Sequence, residues 1–209
     1  DKDEVDKINE MAAFIKQSGA DIIGLQEVDS VCTRSRSVDQ MKVLSEMTGM
    51  HYAFVRHFAY QGGAYGMGIL SRYPLSDIEN QRMTLLKSKN PSTAMIVATV
   101  TVPGNNKIKF ASAHFALDDS SRLVQAAQVV DYLSKAAMPM IFTGDLNATP
   151  DAKEIRYLEK YFTGTDTQHI PTYPAPVATK KIDYIFIEKG CLKKTKTHEV
   201  PVNSLSDHL

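Results

Sequence analysis

Residues 142–150 read FTGDLNATP and place an acid and an amide two positions apart where an apolar run stops. The run before them, MPMI, is typical of a buried strand, and the glycine and proline around the polar pair are typical of its end. Alternate residues of a strand point to the same side, so Asp145 and Asn147 are predicted to face one feature. Loops at strand ends commonly line crevices. The stretch therefore predicts a functional site at the end of a core strand.

Length and charge limit the fold and the partners. With 209 residues, 43% of them hydrophobic, the chain is long enough for one sizeable core, and we predict a single domain over residues 1–209. Basic and acidic residues both number 24, and a net charge of zero argues against a uniform positive surface for nucleic acid. No apolar run approaches the roughly 20 residues of a transmembrane helix, which predicts a soluble chain. The two cysteines are too few for a disulfide scaffold.

Hydrophobic periodicity predicts interspersed helices and strands. Helices are expected at residues 3–19, 38–49, 120–137 and 151–161. Strands are expected at residues 20–28, 51–58, 65–71, 94–102, 107–115, 138–144, 181–188 and 192–200. This mixture favours an α/β sandwich over a doubly wound parallel sheet.

Polar residues interrupt the apolar runs at strand ends and at the end of the chain. They are Glu27, His114, Asp145, Asn147, Asp183, Asp207 and His208. Carboxylates and an amide without paired cysteines suit a hard cation, Mg²⁺ or Mn²⁺, rather than structural zinc. Histidines beside such a cation remain available for proton transfer to or from a water molecule.

In chain order, LQEVD, GILSRYPL, SAHF, GDLNATP, KIDYIF and SDHL resemble the endonuclease/exonuclease/phosphatase superfamily, which includes deoxyribonuclease I. The closest motifs are those of its sphingomyelinase-like and deadenylase-like members and of bacterial metal-dependent hydrolases. The resemblance implies a four-layered α/β sandwich of two packed mixed sheets flanked by helices, with the site at one end.

Matched motif by motif, the resemblance implies a role for each polar residue. Glu27 corresponds to the metal-binding glutamate, and Asp207 is an acidic residue beside the base that we include with the metal ligands. Asp145 and Asn147 correspond to the pair that orients the nucleophile and the phosphate. His208 corresponds to the general base, Asp183 to the carboxylate that orients it, and His114 to a histidine that contacts phosphate. The implied cofactor is Mg²⁺ or Mn²⁺.

The chain departs from the family pattern at both ends. It opens in a helix, where members begin with a strand that carries an asparagine, and it stops at SDHL, where members continue into a further strand. We therefore expect the first and last core strands to lie outside this sequence. An upstream signal peptide, and with it a secreted or cell-envelope location, stays open.

Several residues keep two interpretations. Arg34 follows the metal-glutamate strand and either contacts substrate or does not, and Arg122 either reaches a phosphate or pairs with Asp118 and Asp119. Tyr65, in YQGGAYG, either closes over substrate or shapes a hairpin. A lysine cluster either contacts nucleic acid or, as we favour, forms a solvated face. It comprises Lys180, Lys181, Lys189, Lys193, Lys194 and Lys196.

Together these features predict a divalent-metal-dependent phosphoesterase, and more narrowly a phosphodiesterase that uses water and forms no covalent intermediate. The alternatives are a nuclease acting on DNA or RNA and an inactive binding module of the same fold. The substrate is a phosphate ester whose leaving group the sequence leaves undetermined. A monomer without a stable protein partner is expected.

Overall fold

The described part of the chain contains fourteen segments of regular structure, most of which were predicted from the periodicity. The computed structural model describes residues 2–166, 168–191, 200–201 and 205–209, with side chains from residue 7 onward. The helices are α1 (Lys2–Ser18), α2 (Gln40–Thr48), α3 (Asp119–Lys135) and α4 (Lys153–Leu158), with a 3-10 turn at Thr33–Ser35. The strands are β1 (Ile22–Ser30), β2 (His51–Tyr60), β3 (Gly63–Ser71), β4 (Leu75–Thr84), β5 (Ser92–Val102), β6 (Asn106–His114), β7 (Met140–Asp145), β8 (Phe162–Gly164) and β9 (Asp183–Glu188).

The strands form two sheets that pack face to face. Sheet 1 has the order β1-β3-β2 and is antiparallel, and sheet 2 has the order β4-β5-β6-β7-β9-β8 with β6 and β7 parallel. Helices α1 and α2 pack on the outer face of sheet 1, and α3 and α4 pack on the outer face of sheet 2. The predicted four-layered α/β sandwich is confirmed, although the described part of sheet 1 is antiparallel rather than mixed.

The two sheets meet through an apolar layer whose residues alternate along the strands. Sheet 1 contributes side chains such as Val55 and Ile69, and sheet 2 contributes Ile96, Val100 and Phe110. Residues at every second position point to the same face, so this layer uses the even positions of β5 while Met95 and Val97 face α3.

Two glycines allow close backbone approach near the ends of the core strands. A Cβ at Gly66 of β3 would lie 2.0 Å from the carbonyl oxygen of Val55. Gly144, with φ 150°, would place a Cβ 1.9 Å from the carbonyl oxygen of Ala113. Only glycine fits either position, and Gly144 is the residue that delivers Asp145 to the end of β7.

The sequence missed β4 and β8. Strand β4, LSDIENQRMT, lies at the edge of sheet 2, where polar residues commonly protect a strand from further pairing and obscure the apolar alternation. The predicted helix at 151–161 is shorter, because α4 spans only Lys153–Leu158. The predicted strand at 192–200, apart from Val200, lies outside the described residues, and so do Lys193, Lys194 and Lys196.

Candidate active site

The base of the site is one row of residues across three neighbouring strands. His114 ends β6 and pairs with Asp145 at the end of β7, which in turn pairs with Asp183 at the start of β9. Residues directly opposite each other in adjacent strands project to the same face. The sheet register therefore brings together three side chains that lie far apart in the sequence.

His208 joins this row from the end of the chain. Its Nδ1 lies 2.9 Å from Oδ2 of Asp183, and its Nε2 lies 3.8 Å from Oδ2 of Asp145. The pKa of His208 is raised, first by the hydrogen bond to Asp183, while burial opposes the shift and the charges of Asp183, Asp145 and Asp207 add to it. An Nδ1–H that donates to Asp183 leaves Nε2 facing the row, which is the tautomer a proton acceptor needs.

Asp145 is the buried centre of the group. It is 6% exposed, and its Oδ1 accepts a hydrogen bond from the main-chain nitrogen of Asn147 at 2.8 Å. His114 Nε2 lies 3.4 Å from the other carboxylate oxygen. Burial is the main cause that raises the pKa of Asp145, and the charge of Asp183 adds to it, although His114, the Asn147 N–H and His208 oppose the shift. A raised pKa brings this carboxylate closer to the range in which a general base works.

Asn147 lies next to Asp145 but does not share the predicted strand position, and it is not among the residues that line the crevice around Asp145. Strand β7 ends at Asp145, and Asn147 has a left-handed backbone with φ 48°, so strand alternation does not place it. It belongs to a turn that is closed by the bond to Asp145, and its Nδ2 donates to the carbonyl oxygen of Phe115 at 3.0 Å. Asparagine tolerates this conformation, which explains why the motif carries an amide here.

Glu27 enters from the opposite sheet through a β-bulge. The pairing of β1 with β3 shifts between Leu25 and Val28, and Glu27 has a φ of 57°. A bulge re-aims a side chain, and here the carboxylate is 64% exposed and lies 3.9 Å from Nδ1 of His114. The site is therefore divided between the sheets, with Glu27 on sheet 1 and the row of three on sheet 2.

A crevice of about 470 Å³ unites these groups. Its lining includes Glu27, His114, Asp145, Asp183, Asp207 and His208. None of the described residues that line it is a lysine or an arginine. Potential ligand atoms of Asp145, Asp183 and His208 all lie within 4.8 Å of one another. The carboxylates of Glu27 and Asp207 line the same crevice, which is therefore rich in oxygen ligands of the kind that a hard divalent cation prefers.

Asp207 lines the crevice but lies outside the compact ligand group. Its residue is exposed, and its carbonyl oxygen accepts a bond from the nitrogen of Ala175 at 2.7 Å. Its charge contributes to the raised pKa of His208. Metal ligation by Asp207 stays a prediction.

Tyr65 is hydrogen-bonded to Glu27, and Arg34 lies against the ring of Tyr65. Burial raises the pKa of Tyr65, and the charge of Glu27 and a hydrogen bond with it act in the same direction. Arg34 binds Asp29 through two contacts of 2.8 Å and lies over the rings of Tyr60 and Tyr65. The guanidinium of Arg34 is thus engaged with a buried carboxylate, and neither residue lines the crevice.

Arg122 pairs with an acid that the sequence did not suggest. Its guanidinium bonds the buried carboxylate of Glu154 and the carbonyl oxygen of Leu117. The side chain of Asp118 instead accepts from the nitrogen of Ser121 and caps α3. The structure therefore joins α3 to α4 through Arg122 and does not bring it to the row.

Sequence reasoning missed several supporting residues. Lys181 was assigned to a solvated face, but it is 5% exposed, pairs with Asp166 at 3.1 Å and donates to the carbonyl oxygen of Asp183. The Tyr173 ring lies 4.8 Å from that of His208. Gln26 donates to Ser112 at 2.8 Å, and its place beside Glu27 in LQEVD was the available signal.

Known proteins share this sequence pattern and this fold. The chain is 22% identical over 196 residues to the uncharacterized protein YbhP of Escherichia coli K12, covering 87% of this chain and 77% of that protein. The human Nocturnin catalytic domain with bound sulfate has a TM-score of 0.73 at 19% identity, covering 97% of this chain and 83% of the other. The mannosyl-6-phosphatase of Bacteroides thetaiotaomicron VPI-5482 has a TM-score of 0.70 at 16% identity, covering 98% and 88%.

No helix in the described part of the chain is both long enough and apolar enough to cross a membrane.

The profile of the Endonuclease/Exonuclease/phosphatase family matches residues 2–208, nearly the whole sequence. The chain belongs to the endonuclease/exonuclease/phosphatase family.

Proposed function

We propose that the protein is a divalent-metal-dependent phosphoesterase, most specifically a phosphodiesterase, that hydrolyses its substrate by direct attack of water on phosphorus. Members of the family are hydrolases of phosphate esters. The observation that carries the proposal is the acidic crevice, where two histidines and four carboxylates converge without a lysine or arginine among the described lining residues.

An anionic substrate needs a cation in such a crevice. Like charges a few ångströms apart repel strongly in a partly desolvated site, so a phosphate ester would not bind next to Asp145 and Asp183 alone. Glu27, with its exposed carboxylate, and the Asp145–Asp183 group are the residues that would hold Mg²⁺ or Mn²⁺. When bound, the ion neutralises phosphate charge and polarises the ester.

The chain's own residues supply the proton transfers. Asp183 holds the Nδ1–H of His208, so Nε2 accepts the proton of the attacking water. Asp145 is the second candidate base, because it is buried, has a raised pKa and lies close to both histidines. His114, which lies between Glu27 and Asp145, stabilises the phosphate oxygens. The role of Asn147 in orienting the phosphate is carried by motif resemblance alone, and in the structure its amide supports the turn that follows Asp145.

The proposed substrate class is a phosphate diester. Motif resemblance to sphingomyelinase-like and deadenylase-like members favours a diester. Two structural neighbours are named for other esters, a mannosyl-6-phosphatase and ANGEL2, a 2',3'-cyclic phosphatase. A lipid headgroup, a nucleotide and a nucleic acid all remain within the proposed class.

The test is a panel of phosphomonoesters, phosphodiesters, single-stranded RNA and duplex DNA assayed with Mg²⁺ or Mn²⁺ and again after EDTA. We expect hydrolysis of at least one diester, its loss with EDTA and its return with added metal. His208→Gln and Asp145→Asn provide active-site controls for a contaminating hydrolase. Turnover that survives exhaustive chelation would refute metal dependence, and a protein that binds metal and ester without hydrolysis would support the inactive module.

A further inference from the structure

The division of the site between two sheets raises the question of what fixes their offset. Glu27 comes from sheet 1, whereas His114 and Asp145 come from sheet 2, and the layer between the sheets is largely apolar, with a hydrogen bond from Gln26 to Ser112 beside Glu27. A shift of 1 Å between the sheets would move the Glu27 carboxylate relative to the other groups by the same distance. Sites of this kind need directional contacts that hold the sheets in place.

One such contact lies beside His114. Met95 pairs with Ala113 in the β5–β6 ladder, so Ala94 is the next position of β5, opposite His114. The Ala94 nitrogen donates to Nδ1 of His57, a residue of β2 in the other sheet, at 2.6 Å. His57 thus bonds the backbone of β5 one residue beyond the last pair of the β5–β6 ladder, at the end of β6 that carries His114.

The backbone of β2 is shaped for this contact. The β2–β3 pairing shifts between Arg56 and Phe58, which makes His57 the extra residue of a bulge. Arg82 of β4 donates to the carbonyl oxygens of Arg56 and His57 at 2.8 and 2.9 Å. A bulge frees these groups from the ladder, and here they bond to the opposite sheet.

His57 also contacts Tyr65, the tyrosine next to Glu27. Its ring centroid lies 5.7 Å from that of Tyr65, and the charge of Glu27 and a hydrogen bond with it contribute to the raised pKa of Tyr65. Because Nδ1 accepts the Ala94 bond, the ring proton resides on Nε2, and the imidazole is 5% exposed. Burial is the main cause that lowers the pKa of His57 to about 3, and the charges of His114 and Arg82 add to the shift. The ring therefore carries no positive charge at neutral pH.

We propose that His57 is a positioning residue that sets the separation of Glu27 from His114 and Asp145, and thereby the affinity of the crevice for a divalent cation. The contacts run from Ala94 through His57 and Tyr65 to Glu27. The inference rests on the proposed metal-dependent function, but metal binding can be measured without turnover.

The experiment measures Mn²⁺ binding by electron paramagnetic resonance on purified wild-type protein and three variants. His57→Phe keeps a ring against Tyr65 but removes the acceptor, and we expect about a tenfold loss of Mn²⁺ affinity, as for other supporting contacts around metal ligands. His57→Asn restores an acceptor near the Nδ1 position and should recover most of that loss. The Mg²⁺ concentration for half-maximal hydrolysis should rise in parallel with the Mn²⁺ dissociation constant.

The matched control is Val100→Ala. Val100 is fully buried in the same layer but lies at the opposite end of β5, paired with Leu75. It should lower the melting temperature and leave Mn²⁺ affinity within about twofold of wild type, because it lies away from the site. His57→Phe with wild-type Mn²⁺ affinity, or Val100→Ala with an equal loss, would overturn the positioning role while leaving the proposed function intact. Wild-type protein that binds Mn²⁺ but cleaves no ester would overturn the proposed function, and the variant affinities would still decide the role of His57.

Discussion

Replacement of Asp183 by asparagine separates the charge of this residue from its shape. The His208–Asp183 contact is 2.9 Å long, and the two side chains are 25% and 26% exposed. Asparagine still offers an oxygen to Nδ1–H but removes the negative charge that raises the pKa of His208. We therefore expect a folded protein whose rate falls by a factor of about 10² to 10⁴, the usual contribution of general acid–base catalysis.

The pH profile gives the sharper result. If neutral His208 accepts the proton, the rate rises with pH through its pKa, and loss of the Asp183 charge lowers that pKa. The acidic limb of the Asp183→Asn profile should therefore move to lower pH. Asp131→Asn, which removes an exposed carboxylate paired with Lys135 on α3, should leave the limb in place.

Stability should depend on pH in the corresponding direction. A histidine whose folded-state pKa is raised contributes stability that is fully present below its unfolded pKa of about 6.5 and is lost as pH rises through the folded pKa. For a partly exposed pair we expect about 1 kcal/mol, or a melting temperature lower by about 2–4 °C in Asp183→Asn at pH 5.5. The difference should shrink at pH 9. Rate profiles and thermal melts that both keep the wild-type pH dependence would show that His208 is not the titrating group, and Asp145 would become the base candidate.

Three other substitutions test separate parts of the structure. Glu27→Gln should lower kcat/KM by a factor of about 10³ and abolish the response to added Mg²⁺, which a metal titration of the variant would show. Gly66→Ala should destabilise the protein by about 3 kcal/mol or more in denaturant unfolding, since its Cβ would lie 2.0 Å from the Val55 oxygen; an unchanged midpoint would contradict this close approach. Lys181→Met should cost about 3–5 kcal/mol because it leaves the buried Asp166 carboxylate unpaired, and the double variant with Asp166→Leu should recover much of the loss.

The sequence predicted the fold wherever apolar periodicity was strong. The largely buried strands β5 and β7 and the long helix α3 match their expected positions within a few residues. Edge strand β4 was missed because only one side of it pairs and its polar side chains hide the alternation. Lys181 was wrongly assigned to the surface for a different reason. The local sequence does not distinguish a surface lysine from one that pairs with a buried acid, here Asp166, elsewhere in the chain.

The sequence predicted most residues of the candidate site but not the strand pairing and backbone geometry that bring them together. His114, Asp145 and Asp183 could be nominated as polar strand ends, yet only the pairing of β6, β7 and β9 places them in one row. Glu27 reaches that row because a bulge gives it a left-handed backbone, a conformation that no local sequence preference for glutamate would suggest.

A second bulge lies in β2, which pairs with the opposite edge of β3 from β1, and both bulges adjoin Gly66. The pairings shift around Gly66 in both ladders, and the absence of a side chain at Gly66 lets the backbone of β2 approach closely. One bulge presents the carboxylate of Glu27 to the crevice, and the other presents His57 to the opposite sheet. Gly66 therefore accommodates the β2 bulge directly, because a side chain there would collide with Val55, while the β1 bulge ends where Val28 pairs with the same residue.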